Sequence, residues 1–407
     1  MNYKSIFNLL GILLGIFSLS FIPPLVLTFI YRESGMEIFL YSFIFFSILG
    51  SSLWAATRQQ NLPLNISDGF IITTLFWVVL ACAGSIPFYF FGLSISDSVF
   101  ESVSGITTTG ATTIIGLDNL PKSILFYRQL LQWIGGMGLI ILAVAVMPAL
   151  GIGGGQLYKM ELPGSHGNQK LTPKITDSAK ALWKIYVGLT LICATLYLSS
   201  GMDLFDSIAH SLSTVAGGGF STHDQSIGFF NSSLIETVCI VFMLLSAASF
   251  AVHYVAIFGG KPLKYFYDSE FRFFLSVIML IMLISFMVHL INNSFTDIFS
   301  TFGSTIFQVV SIVTTSGFTT ENFSLWPGFL PYLLLVGAFM GACSQSVGGG
   351  IKAWRVLIMI NQAYKEILKT IHPNAVLSSK IGTKVVDAKI AEKVWGFFSI
   401  YVFIFMF

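Results

Sequence analysis

Residues 104–113 read SGITTTGATT, residues 213–222 read STVAGGGFST and residues 311–320 read SIVTTSGFTT. Aligned on Gly110, Gly219 and Gly317, each has a serine six residues before the glycine: Ser104, Ser213 and Ser311. Each continues as G-A-T-T, G-F-S-T or G-F-T-T. Thirteen residues before each glycine stands a residue of helix-capping type, Asp97, Asp206 or Ser304, which predicts the start of a short helix. The glycines lie 109 and 98 residues apart (219 − 110 and 317 − 219). Outer turns would explain glycine and threonine in general, but not caps and serines held in phase three times. An internal repeat does, and it decides the fold.

Between these segments run long apolar stretches: Ile6–Ile30, Ile38–Trp54, Gly69–Phe91, Ile124–Leu150, Ala181–Leu198, Leu234–Phe258, Phe273–Ile291 and Phe329–Met359, with a ninth from Val394. They reach or approach the roughly 18 residues a membrane helix needs. The 407-residue chain is 55% hydrophobic and 10% charged, against about 25% charged in a soluble domain. The first run is long and lacks a small-residue cleavage site, so it reads as a retained span. With the amino terminus in the cytoplasm, alternating spans leave only Arg32, Lys122 and Arg128 of the 21 basic residues outside, so 18 fall inside, as the positive-inside rule requires. Loop positivity of this kind is no mark of a nucleic-acid surface. Cys82, Cys193, Cys239 and Cys343 share no CxxC spacing and read as small buried hydrophobes.

Each unit therefore reads helix, short re-entrant helix, loop, helix. Irregular backbone at membrane depth is tolerated only inside protein or along a watery cavity, so three equivalent loops imply one shared axis. Before each glycine come Thr107-Thr108-Thr109, Ala216-Gly217-Gly218 and Thr314-Thr315-Ser316, none of them charged. Such residues present backbone carbonyls, the oxygens that replace the hydration shell of a monovalent cation. Glycine permits the positive φ that turns them, and the negative end of each short helix favours a cation. Glu101, Asp206 and Asp224 are placed near the mouth, where they could concentrate cations by their field, although Asp97 and Asp206 also read as plain caps. Arg128 lies near the first loop, either bracing it or snorkelling outward. His210 and His223 flank the second loop, while His253 and His289 sit in apolar spans as helix-packing residues. There is no HExxH, no Cys/His quartet and no serine–histidine–acid set.

At these residues the sequence resembles the Trk/Ktr superfamily of potassium transporters, of the TrkH type. The matching stretches are FESVSGITTTGATT, LFYRQLLQWIGGMG, IAHSLSTVAGGGFSTHD, FQVVSIVTTSGFTT, SVGGGIKAWR and HPNAV (372–376). The resemblance implies an all-α polytopic membrane protein with helix–pore loop–helix units around a pseudo-fourfold pore, after two extra leading helices. It implies potassium uptake across the bacterial cytoplasmic (inner) membrane, driven by membrane potential. No cofactor is expected, with potassium ion as the transported ligand. The implied partners are a second copy of the chain and a cytoplasmic TrkA-type nucleotide-binding ring that gates it. By motif match the filter would comprise Thr107, Thr108, Thr109 and Gly110, then Ala216, Gly217, Gly218 and Gly219, then Thr314, Thr315, Ser316 and Gly317. Thr107, Ala216 and Thr314 would form the inner layer. The glycine-rich break GACSQSVGGG, with Gly341, Gly348, Gly349 and Gly350, resembles the family's intramembrane gating loop. That loop is usually rich in small residues, so Gln345 is a departure. SVGGGIK follows a membrane span rather than a strand and lacks the Walker spacing, so it is no phosphate loop.

The expected divisions are two leading helices over residues 1–60, a first repeat over 61–158, a second over 159–266 and a third over 267–362 with its gating loop at 341–350. Residues 363–407 would hold a cytoplasmic loop and the start of an incomplete fourth repeat. The fourteen apolar residues Val394–Phe407 fall short of about 30 Å of hydrocarbon, so a truncated form is expected. Three other readings remain: a sodium-coupled Ktr-type subunit, a non-conducting assembly fragment, and an intramembrane enzyme using His210, Glu101 and Asp224.

Overall fold

In hydrocarbon every backbone N–H and C=O must find its partner inside the chain, so apolar runs fold as helices. The computed structural model describes residues 3–58, 66–145, 175–292, 297–373, 380–382, 384–385 and 388–407. Part of HPNAV (374–376), most of the basic loop at 159–174 and residues 146–150 of the fourth apolar run lie outside them. The chain forms two compact units, residues 1–246 with 316–322, and residues 247–315 with 323–407.

The first unit begins with α1 (Tyr3–Ser18), a 3₁₀ turn at Leu19–Phe21, and α2 (Ile22–Tyr31), whose Pro23 and Pro24 sit in its first turn, where a missing N–H costs nothing. Then come α3 (Met36–Thr57), α4 (Ile66–Phe90), α5 (Ile95–Ile106), α6 (Lys122–Ala145), α7 (Ile175–Ser199), α8 (Leu204–Ala216) and α9 (Ser233–Ala247). Phe21, Phe39 and Phe88 are buried around the Tyr127 ring, at centroid distances of 5.8, 5.6 and 5.3 Å. The Tyr127 hydroxyl donates to the Gly84 carbonyl at 3.1 Å. This cluster joins the leading helices to the first repeat.

The second unit contains α10 (Phe250–Ile257), α11 (Lys264–Tyr267), α12 (Ser269–Ile291), α13 (Ile298–Val313), α14 (Leu330–Met340), α15 (Ala353–Ile371), and α16 (Ala388–Met406). A two-residue antiparallel hairpin pairs Lys380–Ile381 with Lys384–Val385. Asp268 caps α12 by accepting from the Glu270 and Phe271 amides. Trp354, Ile358, Ile381, Ala391 and Val394 pack together, and the Arg355 guanidinium lies 4.0 Å from the Phe397 ring centroid.

Among the described residues, five helical segments are long and apolar enough to cross a membrane: Tyr3–Tyr31, Met36–Thr57, Asp68–Phe90, Lys180–Ser199 and Ser269–Ile291. Three expectations change. The run Leu234–Phe258 is not one continuous helix: α9 stops at Ala247 and α10 restarts at Phe250, after Ser249 in an extended conformation. The last helix starts six residues before Val394 and is 19 residues long, because Ala388–Lys393 is polar but helix-forming. Most instructively, the capping residues sit further back. Ser94 and Asp203 cap α5 and α8 through the Asp97 and Asp206 amides, and Asp297 caps α13 through the Ser300 amide. Asp97 and Asp206 are first-turn residues and Ser304 lies inside its helix. A carboxylate in the first turn is favoured by the helix dipole, which makes it resemble a cap in sequence.

Candidate ion pathway

The first two re-entrant helices end alike. The Thr109 amide donates back to the Ser104 carbonyl at 2.9 Å, and the Gly218 amide to the Ser213 carbonyl at 3.0 Å. In the first two repeats the in-phase serines are therefore the residues whose carbonyls close the helix terminus; in the third the Thr315 amide turns back to the Ile312 carbonyl. The residue after the first turn is left-handed in all three: Thr108 at φ 55°, Gly217 at 65° and Thr315 at 62°. Threonine pays for that conformation in steric strain, and such strain gathers where backbone direction matters. Two residues on, Gly110, Gly219 and Gly317 are left-handed again at 78°, 76° and 84°. The repeat in sequence is a repeat in dihedral angles.

In the first unit the loops meet in a fixed rotational sense. A Cβ on Gly110 would lie 2.0 Å from the Gly218 carbonyl oxygen; one on Gly219 would lie 2.0 Å from the Ser316 carbonyl oxygen. Gly110 and Gly219 thus abut the carbonyl of the residue preceding the next glycine, whereas a Cβ on Gly317 would meet nothing within 4 Å. Gly110, Gly219 and Gly317 are gathered, not scattered.

Two side chains of α6, Gln132 and Arg128, hold this arrangement. Gln132, fully buried, donates to the Gly218 carbonyl at 2.7 Å and accepts from the Ser213 hydroxyl at 2.6 Å and the Phe220 amide at 3.1 Å. One lone pair of the Gly218 oxygen is therefore already engaged. Arg128 braces the loops and does not snorkel. Its Nε donates to Glu101 Oε1 at 2.6 Å, with both side chains fully buried. Its other nitrogens reach the Ser221 carbonyl and the Thr112 hydroxyl, and its guanidinium lies 4.2 Å from the Phe220 ring centroid. Thr112 in turn donates to both Glu101 oxygens. Glu101 is therefore no surface charge at a mouth: it is neutralised within the protein, since a lone buried carboxylate would be prohibitively costly.

His223 sits in the loop after the second glycine. Its Nδ1 lies 2.5 Å from Asp118 Oδ1, its Nε2 3.2 Å from Asp206 Oδ2, and its ring stacks on Phe229 at 3.5 Å. Burial works against the charged imidazole, but the hydrogen bonds and charges of Asp206 and Asp118 outweigh it and raise the pKa. The same hydrogen bond lowers the Asp118 carboxyl below its ordinary range. Asp224 accepts from the Gly116 and Leu117 amides at 3.0 and 3.1 Å, tying the second loop to the first. His210 donates from Nδ1 to the Asp206 carbonyl, so its Nε2 accepts from the Ser221 hydroxyl at 2.9 Å. His210, Glu101 and Asp224 each serve a different structural bond, so the enzyme reading loses its constellation.

In the second unit the glycine-rich break leaves the helix between Met340 and Ala353 and packs on the third loop. The Gly349 amide donates to Thr315 Oγ1 at 2.6 Å, and a Cβ on Gly348 would lie 2.8 Å from the Thr314 carbonyl oxygen. Glu270 accepts from the Ser344 amide and hydroxyl and from the Trp354 amide. Gln345, at φ 58°, gives its carbonyl to the Phe250 amide, and Ala247 gives its carbonyl to the Cys343 amide. Gln345 thus ties the loop to the start of α10 through its backbone carbonyl.

The sequence model described as TrkH, cation transport protein, matches residues 35–407. The chain belongs to the TrkH family. It is 45% identical over 411 residues to the Trk system potassium uptake protein TrkH of Vibrio parahaemolyticus serotype O3:K6, covering 100% of this chain and 85% of that relative. It is 39% identical over 404 residues to the Trk system potassium uptake protein TrkG of Escherichia coli K12, covering 98% and 83%. The crystal structure of the potassium transporter TrkH from Vibrio parahaemolyticus superposes with a TM-score of 0.90 at 44% identity, covering all of this chain and 84% of that one. With its apolar helices, this TrkH-family member is a multi-pass membrane protein and not an enzyme. Sequence reading named the three glycine turns but did not single out Gln132 or Glu270. Both are polar residues inside or beside apolar runs, and that contrast was the available signal.

Proposed function

We propose that the chain takes up potassium across the bacterial cytoplasmic membrane through the three glycine turns, driven by the membrane potential. The reading rests above all on the stepped contact, in which Gly110 abuts the Gly218 carbonyl and Gly219 abuts the Ser316 carbonyl. That spacing supports a ring of uncharged oxygens suited to a dehydrated monovalent cation. On this reading Thr107–Gly110, Ala216–Gly219 and Thr314–Gly317 contribute the filter oxygens, and Thr107, Ala216 and Thr314 lie innermost. The unwound loop with Gly341, Gly348, Gly349 and Gly350 gates it under a TrkA-type nucleotide-binding ring on the cytoplasmic side. Two copies associate, with the amino terminus in the cytoplasm and the repeats divided near residues 60, 158, 266 and 362. Family membership and the potassium-uptake relatives support these assignments.

The test is growth of a bacterium stripped of its own potassium uptake, in limiting potassium, with rubidium influx measured against competing sodium. Rescue with influx resistant to sodium is expected. Influx that requires sodium would replace the proposal with sodium-coupled transport, and correct membrane insertion without influx would end it.

A further inference from the structure

We propose that the Lys352 ammonium is a tethered cation filling a potassium site formed by the Ser346 and Gly348 carbonyls, so that a permeating ion must displace it. This rests on the transport reading above. Lys352 stands at the N-cap position of α15 with φ 81° and ψ 130°, a sparsely populated conformation that strains any residue with a Cβ. Neighbouring bonds hold it there: the Ile351 amide donates to the Phe339 carbonyl, the Lys352 amide to that of Met340 and the Ala353 amide to that of Ala342. The side chain turns back into its own loop, and Nζ donates to the Ser346 carbonyl at 3.3 Å and to the Gly348 carbonyl.

The other loop carbonyls are met differently. Cys343 accepts from the Ser346 hydroxyl, Gln345 from the Phe250 amide and Gly349 from the Ala342 amide. Neutral donors serve those three, and a positive charge serves 346 and 348. An ammonium is a compact point charge with three donors, and two backbone carbonyls are the kind of oxygens that receive a partly dehydrated potassium ion. Two further facts place this pair on the ion's route. Gly348 packs against the Thr314 carbonyl, and Gly349 is bonded to Thr315, both proposed filter residues. The Glu270 carboxyl group accepts from Ser344 and Trp354 at the two ends of the same loop.

A simple structural staple would make the same contacts, so the test must read ion competition. In cells lacking the cytoplasmic ring, Lys352→Met and Lys352→Ala should raise rubidium influx by roughly ten- to a hundredfold, the weight of one charge-assisted hydrogen bond. Methylammonium should then suppress the Lys352→Ala flux, while Lys352→Met, whose side chain fills the space, should not respond. Influx equal to the unaltered chain, or equal methylammonium sensitivity in Lys352→Ala and the unaltered chain, overturns the inference. If neither variant reaches the membrane, the unaltered protein decides. Modification of Lys352 by an amine reagent, followed by mass spectrometry, should rise when potassium replaces choline; no rise overturns it. A failure of the transport reading is separate, because it would remove ring-dependent influx from the unaltered chain.

Discussion

Replacing Gly219 by alanine puts a methyl group 2.0 Å from the Ser316 carbonyl oxygen and 3.0 Å from its carbon. Carbon contacts settle at about 3.5 Å, so the second and third turns must separate by more than about 1 Å. Holding alanine at φ 76° adds about 1–2 kcal/mol. The second cost can be measured on its own at Gly92, which is left-handed at φ 101° but has nothing within 4 Å of its added Cβ. Gly92→Ala should therefore transport like the unaltered chain while losing only that backbone cost in stability. Gly219→Ala should lose at least about tenfold in potassium influx, the equivalent of about 1.4 kcal/mol, and should admit sodium more readily because the oxygens no longer match one ion. The assay is rubidium influx with and without sodium, normalised to protein in the membrane. If Gly219→Ala keeps both influx and ion preference while matching Gly92→Ala, the close approach of the turns is irrelevant to conduction and the filter assignment is wrong.

Arg128→Met should abolish membrane-inserted protein or cost about 3–5 kcal/mol, because it leaves Glu101 buried without its counter-charge; adding Glu101→Leu should recover part of the loss, read by thermal unfolding in detergent. Gln132→Leu strands three polar groups, Gly218 O, Ser213 Oγ and Phe220 N, at about 1–3 kcal/mol each, and should reduce influx more than expression. The raised His223 pKa means that its protonated bridge stabilises fully below the ordinary histidine value of about 6.5 and fades as pH climbs through the raised value. Hydrogen exchange at the Gly116 and Leu117 amides, corrected for intrinsic rate, should then quicken on the alkaline side, and His223→Gln should remove that step. Thr315→Val removes the acceptor for the Gly349 amide and should raise influx in cells lacking the cytoplasmic ring.

The repeat was legible because it is written in the residues that special backbone angles demand. Gly110, Gly219 and Gly317 need positive φ, and that requirement shows in one chain without any alignment. The caps were legible in kind but not in place, since Asp97 and Asp206 satisfy the same helix-end electrostatics one turn later than Ser94 and Asp203. The break at Ala248 and Ser249 was illegible because it lies in an apolar stretch with no proline or glycine. Its free backbone groups are met by Cys343 and Gln345, nearly a hundred residues away. The role of Glu101 was misjudged for a similar reason: only Arg128, 27 positions on, reveals that its charge is spent inside.

Gln132 belongs to the first repeat, yet it grips the second loop on both sides of Gly219, through Gly218 and Phe220. Units that look interchangeable on paper are therefore not modular. Grafting the second hairpin into another member of the family would import a turn whose shape is stored in somebody else's helix, and such a chimaera should recover only when Gln132 travels with Ser213.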